Sequence, residues 1–192
     1  MMPNSPIRQW SSPSKAFDCI SHYRLLEKVS SSNLHLNLIR WLSAYLHGRQ
    51  VACVYQDVKS KFRIIHTGVP QGSVWSPVLF NFFVANFPQE VTLTESFVDD
   101  FHLAESATDV GDIEAKRNSD LAKVSEWAHK NFLKLSVGKS SITLFTPDTH
   151  QSHYHPQVFL DGQLILLERR PTILGVTLDT HISFTPHVKS RQ

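Results

Sequence analysis

Leu93-Thr94-Glu95-Ser96-Phe97-Val98-Asp99-Asp100-Phe101-His102-Leu103-Ala104 decides how this chain is read. Apolar and β-prone residues flank two adjacent carboxylates, which predicts two short strands joined by a tight turn with acid at its tip. Like charges side by side cost free energy unless a cation offsets them. Hard divalent ions such as Mg2+ take carboxylate oxygens and supply that offset. Asp also favours turns through its own hydrogen bonds, so an ordinary Asp-rich hairpin is the other reading.

Upstream of the acidic pair, residues 22–28 predict a short helix. Asn33 is the expected cap of a second helix, in which Leu34, Leu38, Ile39, Leu42 and Leu46 recur at helical spacing and which Gly48 ends. Residues 51–55 and 62–66 predict strands around a turn at 57–61. Gly68-Val69-Pro70-Gln71-Gly72 reads as a loop, and an apolar helix follows to Phe87, with Ser76 as cap and Pro77 at its first position. Downstream, Asp109 or Gly111 opens a long amphipathic helix to about His129, with Ile113, Leu121, Val124 and Trp127 on one face. Residues 132–135 and 142–145 predict a strand pair around Gly138. Asp161-Gly162 between 158–160 and 164–167 is a strong hairpin signal, and 173–178 predicts a last strand. Helices and antiparallel strands interleave, so the predicted class is α+β.

The chain has 192 residues, 41% hydrophobic and 19% charged, enough for one domain with a buried core. A net charge of +2 does not mark a dedicated nucleic-acid domain. Cys19 and Cys53 are too few for a disulfide framework, which favours a reducing compartment. The Pro- and Ser-rich start lacks an apolar signal core, and no apolar run approaches the roughly 18 residues of a membrane span. The expectation is an intracellular protein, nuclear or cytoplasmic, neither secreted nor in a membrane. Trp75 and Trp127 are expected in the core. Lys59, Lys61 and Arg63 alternate, as phosphate contacts would, or as charges that keep a sheet edge from aggregating. His150, His153 and His155 have metal-like spacing but lack a Cys or paired acid.

Five blocks, in order, resemble the palm of a reverse transcriptase of the kind carried by non-LTR (LINE-type) retrotransposons. They are Ser14-Lys15-Ala16-Phe17-Asp18, Gly68-Val69-Pro70-Gln71-Gly72-Ser73-Val74-Trp75-Ser76-Pro77, Phe97-Val98-Asp99-Asp100, Leu133-Lys134-Leu135 through Lys139, and Leu174-Gly175-Val176-Thr177-Leu178-Asp179. The second block is long and specific. The resemblance spans about residues 12–189 and implies a ferredoxin-like antiparallel sheet with helices on one face. It sets the expected bounds: a disordered or truncated start at 1–11, a palm over 12–180 and a tail at 181–192. Fingers and thumb are expected to be missing, as in a truncated copy of a mobile element.

The resemblance also implies chemistry. Such polymerases use two Mg2+ or Mn2+ ions, roughly 4 Å apart, to activate the primer 3′-hydroxyl and steady the leaving pyrophosphate. Asp99 aligns with the metal-bridging carboxylate; Asp100 either assists the metal or shapes the turn. The family's other essential aspartate lies six residues before Asp18, where this chain has Ser12. A neutral hydroxyl is a weak substitute for a carboxylate, and Asp18 lies too far along to replace it. Weak metal binding and an inactive copy are therefore expected. Phe17 aligns with the residue screening the sugar 2′ position, or packs in the core. Gln71 aligns with a nucleotide contact, or is a polar loop residue. Gly72 either admits a ligand or serves the turn, and Lys139 either approaches the triphosphate or is solvated. The implied partners are an RNA template, a DNA primer and dNTPs, held weakly. The alternatives are a non-catalytic nucleic-acid-binding remnant and a plain RNA-binding module with aromatics on its sheet face.

Overall fold

A computed structural model describes residues 7–11, 16–70, 72–97, 100–148 and 151–190, with Ile7–Ser11, Ala16 and Leu93–Phe97 described by their backbone alone. In chain order the elements are β1 (Ile7–Ser11), α1 (Ala16–Cys19), α2 (His22–Ser30), α3 (Leu36–Leu46), β2 (Gln50–Val51), β3 (Val54–Tyr55), β4 (Val58–Lys59), β5 (Arg63–Ile64), α4 (Trp75–Val84), β6 (Leu93–Phe97), β7 (Asp100–Glu105), α5 (Val110–Lys130), β8 (Ser141–Leu144), β9 (Phe159–Leu160), β10 (Gln163–Leu164), β11 (Leu166–Leu167), β12 (Thr172–Ile173), β13 (Val176–Thr177) and α6 (Thr185–Lys189). The α+β class holds. The chain divides into two compact units, one built from Met1–Ser14, Pro88–His129 and Lys134–Gln192, the other from Lys15–Phe87 and Lys130–Leu133.

The first unit is organised by a five-stranded sheet in the order β11-β8-β1-β7-β6. β1 sits at its centre, antiparallel to both β7 and β8, while β11 joins β8 in parallel at one edge. Ile7–Ser11 is thus an ordered strand within the segment 1–11 that the sequence led us to expect as a disordered or truncated start. The segment has no strong strand pattern of its own; ladder bonds to neighbours on both sides hold it extended.

α5 starts where Asp109 Oδ1 accepts the Gly111 N–H at 2.6 Å, which satisfies an otherwise orphaned donor. Ile113, Leu121, Val124, Trp127 and Ala128 form its buried stripe. The Trp127 ring meets the Phe101 ring of β7 edge-on with centroids 6.4 Å apart, so the helix packs on the sheet through aromatic contact. Arg117 and Asp120 lie in the same stripe, fully buried, with their charged atoms 3.8 Å apart. Burial pulls the Arg117 pKa below its ordinary value, against the opposing pull of Asp120 and Glu105.

Three sequence expectations change in this unit. Residues 132–135 do not pair as a strand with 142–145; Val137–Lys139 makes a short 3-10 turn that feeds β8 instead. The single strand expected at 173–178 is a hairpin, β12 on β13, turned by Leu174 and Gly175, both with positive φ. The expected tail at 181–192 contains α6. The Asp161-Gly162 hairpin forms as expected, with φ of 50° and 73° matching the mirror-image turn that suits strand twist.

The second unit packs α2, α3 and α4 around Leu25, Val29, Leu42, Leu46, Leu79, Phe80 and Phe83. Ser21 caps α2 by accepting the Arg24 N–H. α3 starts two residues later than Asn33 suggests, because His35 Nδ1 accepts the Asn37 N–H and serves as the cap. Between α3 and α4 run two nested hairpins, β2 on β5 and β3 on β4, with the turn at Gln56-Asp57 rather than at 57–61. Ser76 lies inside α4 and does not cap it; its hydroxyl donates to the Pro70 carbonyl. Trp75 is 38% exposed, unlike Trp127, so only one of the two expected core tryptophans is buried.

Lys28 docks the end of α4. Its ammonium donates to the Phe83 carbonyl and to Asn86 Oδ1, and lies 4.3 Å from the Phe83 ring centroid. Burial, helped by nearby Arg24, lowers its pKa from 10.5 to about 8. Between those values the unfolded chain holds a proton that the folded chain has released, so stability rises with pH across that window and is flat below it. Lys28→Met should abolish that rise, as read by urea unfolding below pH 8 and again near pH 10. Among the described residues no helix is long and apolar enough to cross a membrane.

Candidate active site

The acidic stretch forms the hairpin that its sequence predicts. β6 and β7 run antiparallel, and Phe97 pairs with Asp100. Asp100 opens β7 and is half-buried. Val98 and Asp99 lie outside the described residues. β1 runs antiparallel to β7 so that its last residue, Ser11, stands opposite Phe101. The chain therefore leaves β1 beside the acidic end of β7. Ser12, at the position where the resemblance expects a carboxylate, lies outside the described residues. Lys139 ends the 3-10 turn before β8 and is exposed.

The remaining candidates belong to the second unit. Phe17 stacks on Phe80 of α4, ring centroids 4.9 Å apart and planes 28° apart, so its ring takes part in packing. The Phe17 carbonyl accepts the Val69 N–H at 2.8 Å, and the Ile20 carbonyl accepts the Gly68 N–H at 2.8 Å. His22 Nε2 closes the same junction on the Gly68 carbonyl at 2.7 Å. These bonds bring residues 17–22 against Gly68 and Val69, the start of the Gly-Val-Pro-Gln-Gly block, some fifty residues on in sequence. A groove of about 340 Å3 runs over Asp18, Arg49, Thr67 and Gly68 at this junction. Gly72 has φ of +80°, and among the described residues nothing lies within 4 Å of where a Cβ would stand. Gln71 lies outside the described residues.

Two side chains that sequence reading missed also hold the loop. Ser73 Oγ accepts the Trp75 N–H at 3.2 Å and the Tyr45 hydroxyl lies 2.8 Å from it, tying the loop to α3. A Ser two residues ahead of the helix was the available signal. His153 and His155 are exposed, His150 lies outside the described residues, and among the described residues no three His, Cys, Asp or Glu side chains gather as a metal centre requires.

Comparison with known proteins bears on these same blocks. The chain is 28% identical over 187 residues to the RNA-directed DNA polymerase from mobile element jockey of Drosophila funebris, 93% of this chain and 20% of that protein. It is 29% identical over 188 residues to the jockey polymerase of Drosophila melanogaster, again 93% of this chain and 20% of the relative. The probable RNA-directed DNA polymerase from transposon BS of Drosophila melanogaster is 27% identical over 185 residues, 92% of this chain and 20% of its own length. The chain thus spans about a fifth of the length of these curated relatives. A match to the reverse transcriptase (RNA-dependent DNA polymerase) family covers residues 13–178, which takes in the Gly-Val-Pro-Gln-Gly loop, the acidic hairpin and the β12–β13 turn. With most of its length inside that match, the chain belongs to the reverse transcriptase family.

Proposed function

We propose that this chain is a polymerase palm from an RNA-directed DNA polymerase of a non-LTR retrotransposon, and that it does not transfer nucleotides because Ser12 replaces a metal-bridging aspartate. The observation that carries the palm reading is the strand order β8-β1-β7-β6, with the acidic hairpin next to the first strand. Numbered along the chain, those four strands run 4-1-3-2, the order of a ferredoxin-like βαββαβ sheet. In such a sheet the end of the first strand and the tip of the hairpin share one edge, where the family places its carboxylates. Ser11 opposite Phe101 agrees with that placement. An RNA template, a DNA primer and dNTPs are the partners this reading implies.

The donor set does not fit a two-ion centre. Asp99 and Asp100 are neighbours in the sequence, and Ser12 adds only a neutral hydroxyl with weak acceptor capacity. The chain should therefore bind Mn2+ weakly, little changed by Asp99→Ala. Ser12→Asp should tighten Mn2+ roughly tenfold or more by adding a ligand charge, and Asp99→Ala in that background should lose the gain. Water-proton relaxation reads the affinity, and primer extension on an RNA template with Mg2+ or Mn2+ reads the activity. No extension by the unmodified chain is expected; extension would overturn the inactive reading.

A further inference from the structure

Along one flank of α5, Asn118, Ala122, Ser125 and His129 recur at helical spacing and wall a groove of about 590 Å3. The β9–β10 hairpin is its other wall. None of the lining residues belongs to the family blocks, so the polymerase reading leaves the groove unused. The hairpin is fastened to the helix at two points. Asn118 Oδ1 accepts the Phe159 N–H at 2.9 Å, and Asn118 Nδ2 donates to the Gln157 carbonyl at 2.9 Å. Further along the helix, the Ser125 hydroxyl donates to Asp161 Oδ1 in the hairpin turn. The walls are therefore set before anything binds, which lowers the ordering cost of a ligand.

Leu121, Ala122 and Phe159 supply apolar lining, and Phe159 is 44% exposed. Glu126 and Asp161 add two carboxylates, and among the described residues no Lys or Arg lines the groove. Its one titratable base is His129, whose Nε2 lies 3.8 Å from Asp161 Oδ1. Carboxylates repel phosphate, so neither a nucleic acid nor an anionic lipid headgroup suits the groove. A hard metal ion does not suit it either, since these acids and His129 do not gather as a metal centre requires. An organic cation does. A guanidinium is the best match, because it is weakly hydrated, stacks on an aromatic face and forks onto a carboxylate. From Asn118 to His129 the helix rises roughly 16 Å. That is the length of about five residues of extended chain, so the groove takes a peptide rather than one side chain.

We propose that the groove between α5 and the β9–β10 hairpin docks a short arginine-bearing peptide segment of a protein partner. A guanidinium lies on the Phe159 ring and faces the Asp161 and Glu126 carboxylates, and an apolar side chain covers Ala122. Charge complementarity selects this occupant: the lining is apolar with acid at two positions and offers nothing to an anion. Ala122 leaves the space, because a small side chain stands there between Asn118 and Ser125 on the helix wall. The docking uses neither the acidic turn nor a divalent ion, so it goes beyond the palm reading and can fail or hold independently of Ser12.

Fluorescence anisotropy of the full chain with a fluorescein-labelled heptapeptide, GRLRLRG, tests it, with GKLKLKG and GELELEG for comparison. The arginine peptide should bind, the lysine peptide more weakly, and the glutamate peptide not at all. Ala122→Trp fills the groove and should abolish binding. Asp161→Asn keeps a residue that tolerates positive φ in the turn. Together with Glu126→Gln it should weaken binding roughly 1.5- to 5-fold per charge and flatten its salt dependence. Phe159→Ala should weaken binding roughly 2- to 5-fold. Ala122 and Glu126 are exposed, so variants there should unfold at the temperature of the parent. No binding of the arginine peptide, equal binding of the glutamate peptide, or indifference to Ala122→Trp would overturn the proposal. So would self-association that Ala122→Trp abolishes while no peptide binds, because the occupant is then a second copy of the chain.

Discussion

Arg117→Ala should cost about 3–5 kcal/mol of folding stability, because it strands the Asp120 carboxylate in the core. Arg117 and Asp120 are 1% and 3% exposed, one turn apart on the face of α5 that covers the sheet. Their 3.8 Å separation is too long for a hydrogen bond, and among the described residues no acceptor meets the three guanidinium nitrogens. The pair is thus held by charge with poor geometry, the arrangement in which desolvation rivals attraction. Removing one partner exposes the full desolvation cost of the other. Removing both should be far cheaper, so Arg117→Met with Asp120→Leu should lie within about 1–2 kcal/mol of the parent or above it. Urea unfolding of the parent, single and double variants at neutral pH reads both effects. A single-variant loss under about 1 kcal/mol would show that Asp120 is not stranded.

Gly68→Ala is the second large effect, expected at about 2–4 kcal/mol. Gly68 has φ of +87°, and a Cβ there would stand 3.1 Å from the Asp18 carbonyl oxygen and 3.2 Å from the Asp18 Cα. Both neighbours are backbone, so no side chain can swing aside. The site cannot shift either, since the Gly68 N–H is bonded to the Ile20 carbonyl and the Gly68 carbonyl to His22. The cost combines a left-handed backbone with a close contact, less the smaller gain from a stiffer unfolded chain. Gly72→Ala is the control. Its φ is +80° and among the described residues nothing lies within 4 Å of its Cβ position, so the backbone cost of about 1–2 kcal/mol is what applies. Thermal unfolding of the two variants should rank Gly68 well below Gly72, and an equal pair would remove the contact from the explanation.

Much of this architecture follows from local chemistry. α5 is legible because its apolar stripe repeats at helical spacing behind an Asp that caps it. The β9–β10 hairpin is legible because Asp161-Gly162 takes positive φ at little cost. The acidic hairpin is legible from apolar arms around two carboxylates. Turns without such residues escape: Leu174 carries φ of 46° in the β12–β13 turn, and a leucine gives no sign of it. The Gln56-Asp57 turn escapes in the same way, with Gln56 at 47°.

The chain's own sequence reveals the α+β class, the main helices and the order of the family blocks. These depend on residue type and near-neighbour spacing, which the chain displays directly. Tertiary structure alone decided that Ile7–Ser11 is a central strand, since its ladder partners lie about 95 and 135 residues away and its own pattern is weak. It also decided that Gly68 lies against Asp18, that Arg117 is buried with Asp120, and that Trp75 is exposed while Trp127 is covered. Burial and close approach are properties of which surfaces meet, and residues distant in sequence supply those surfaces.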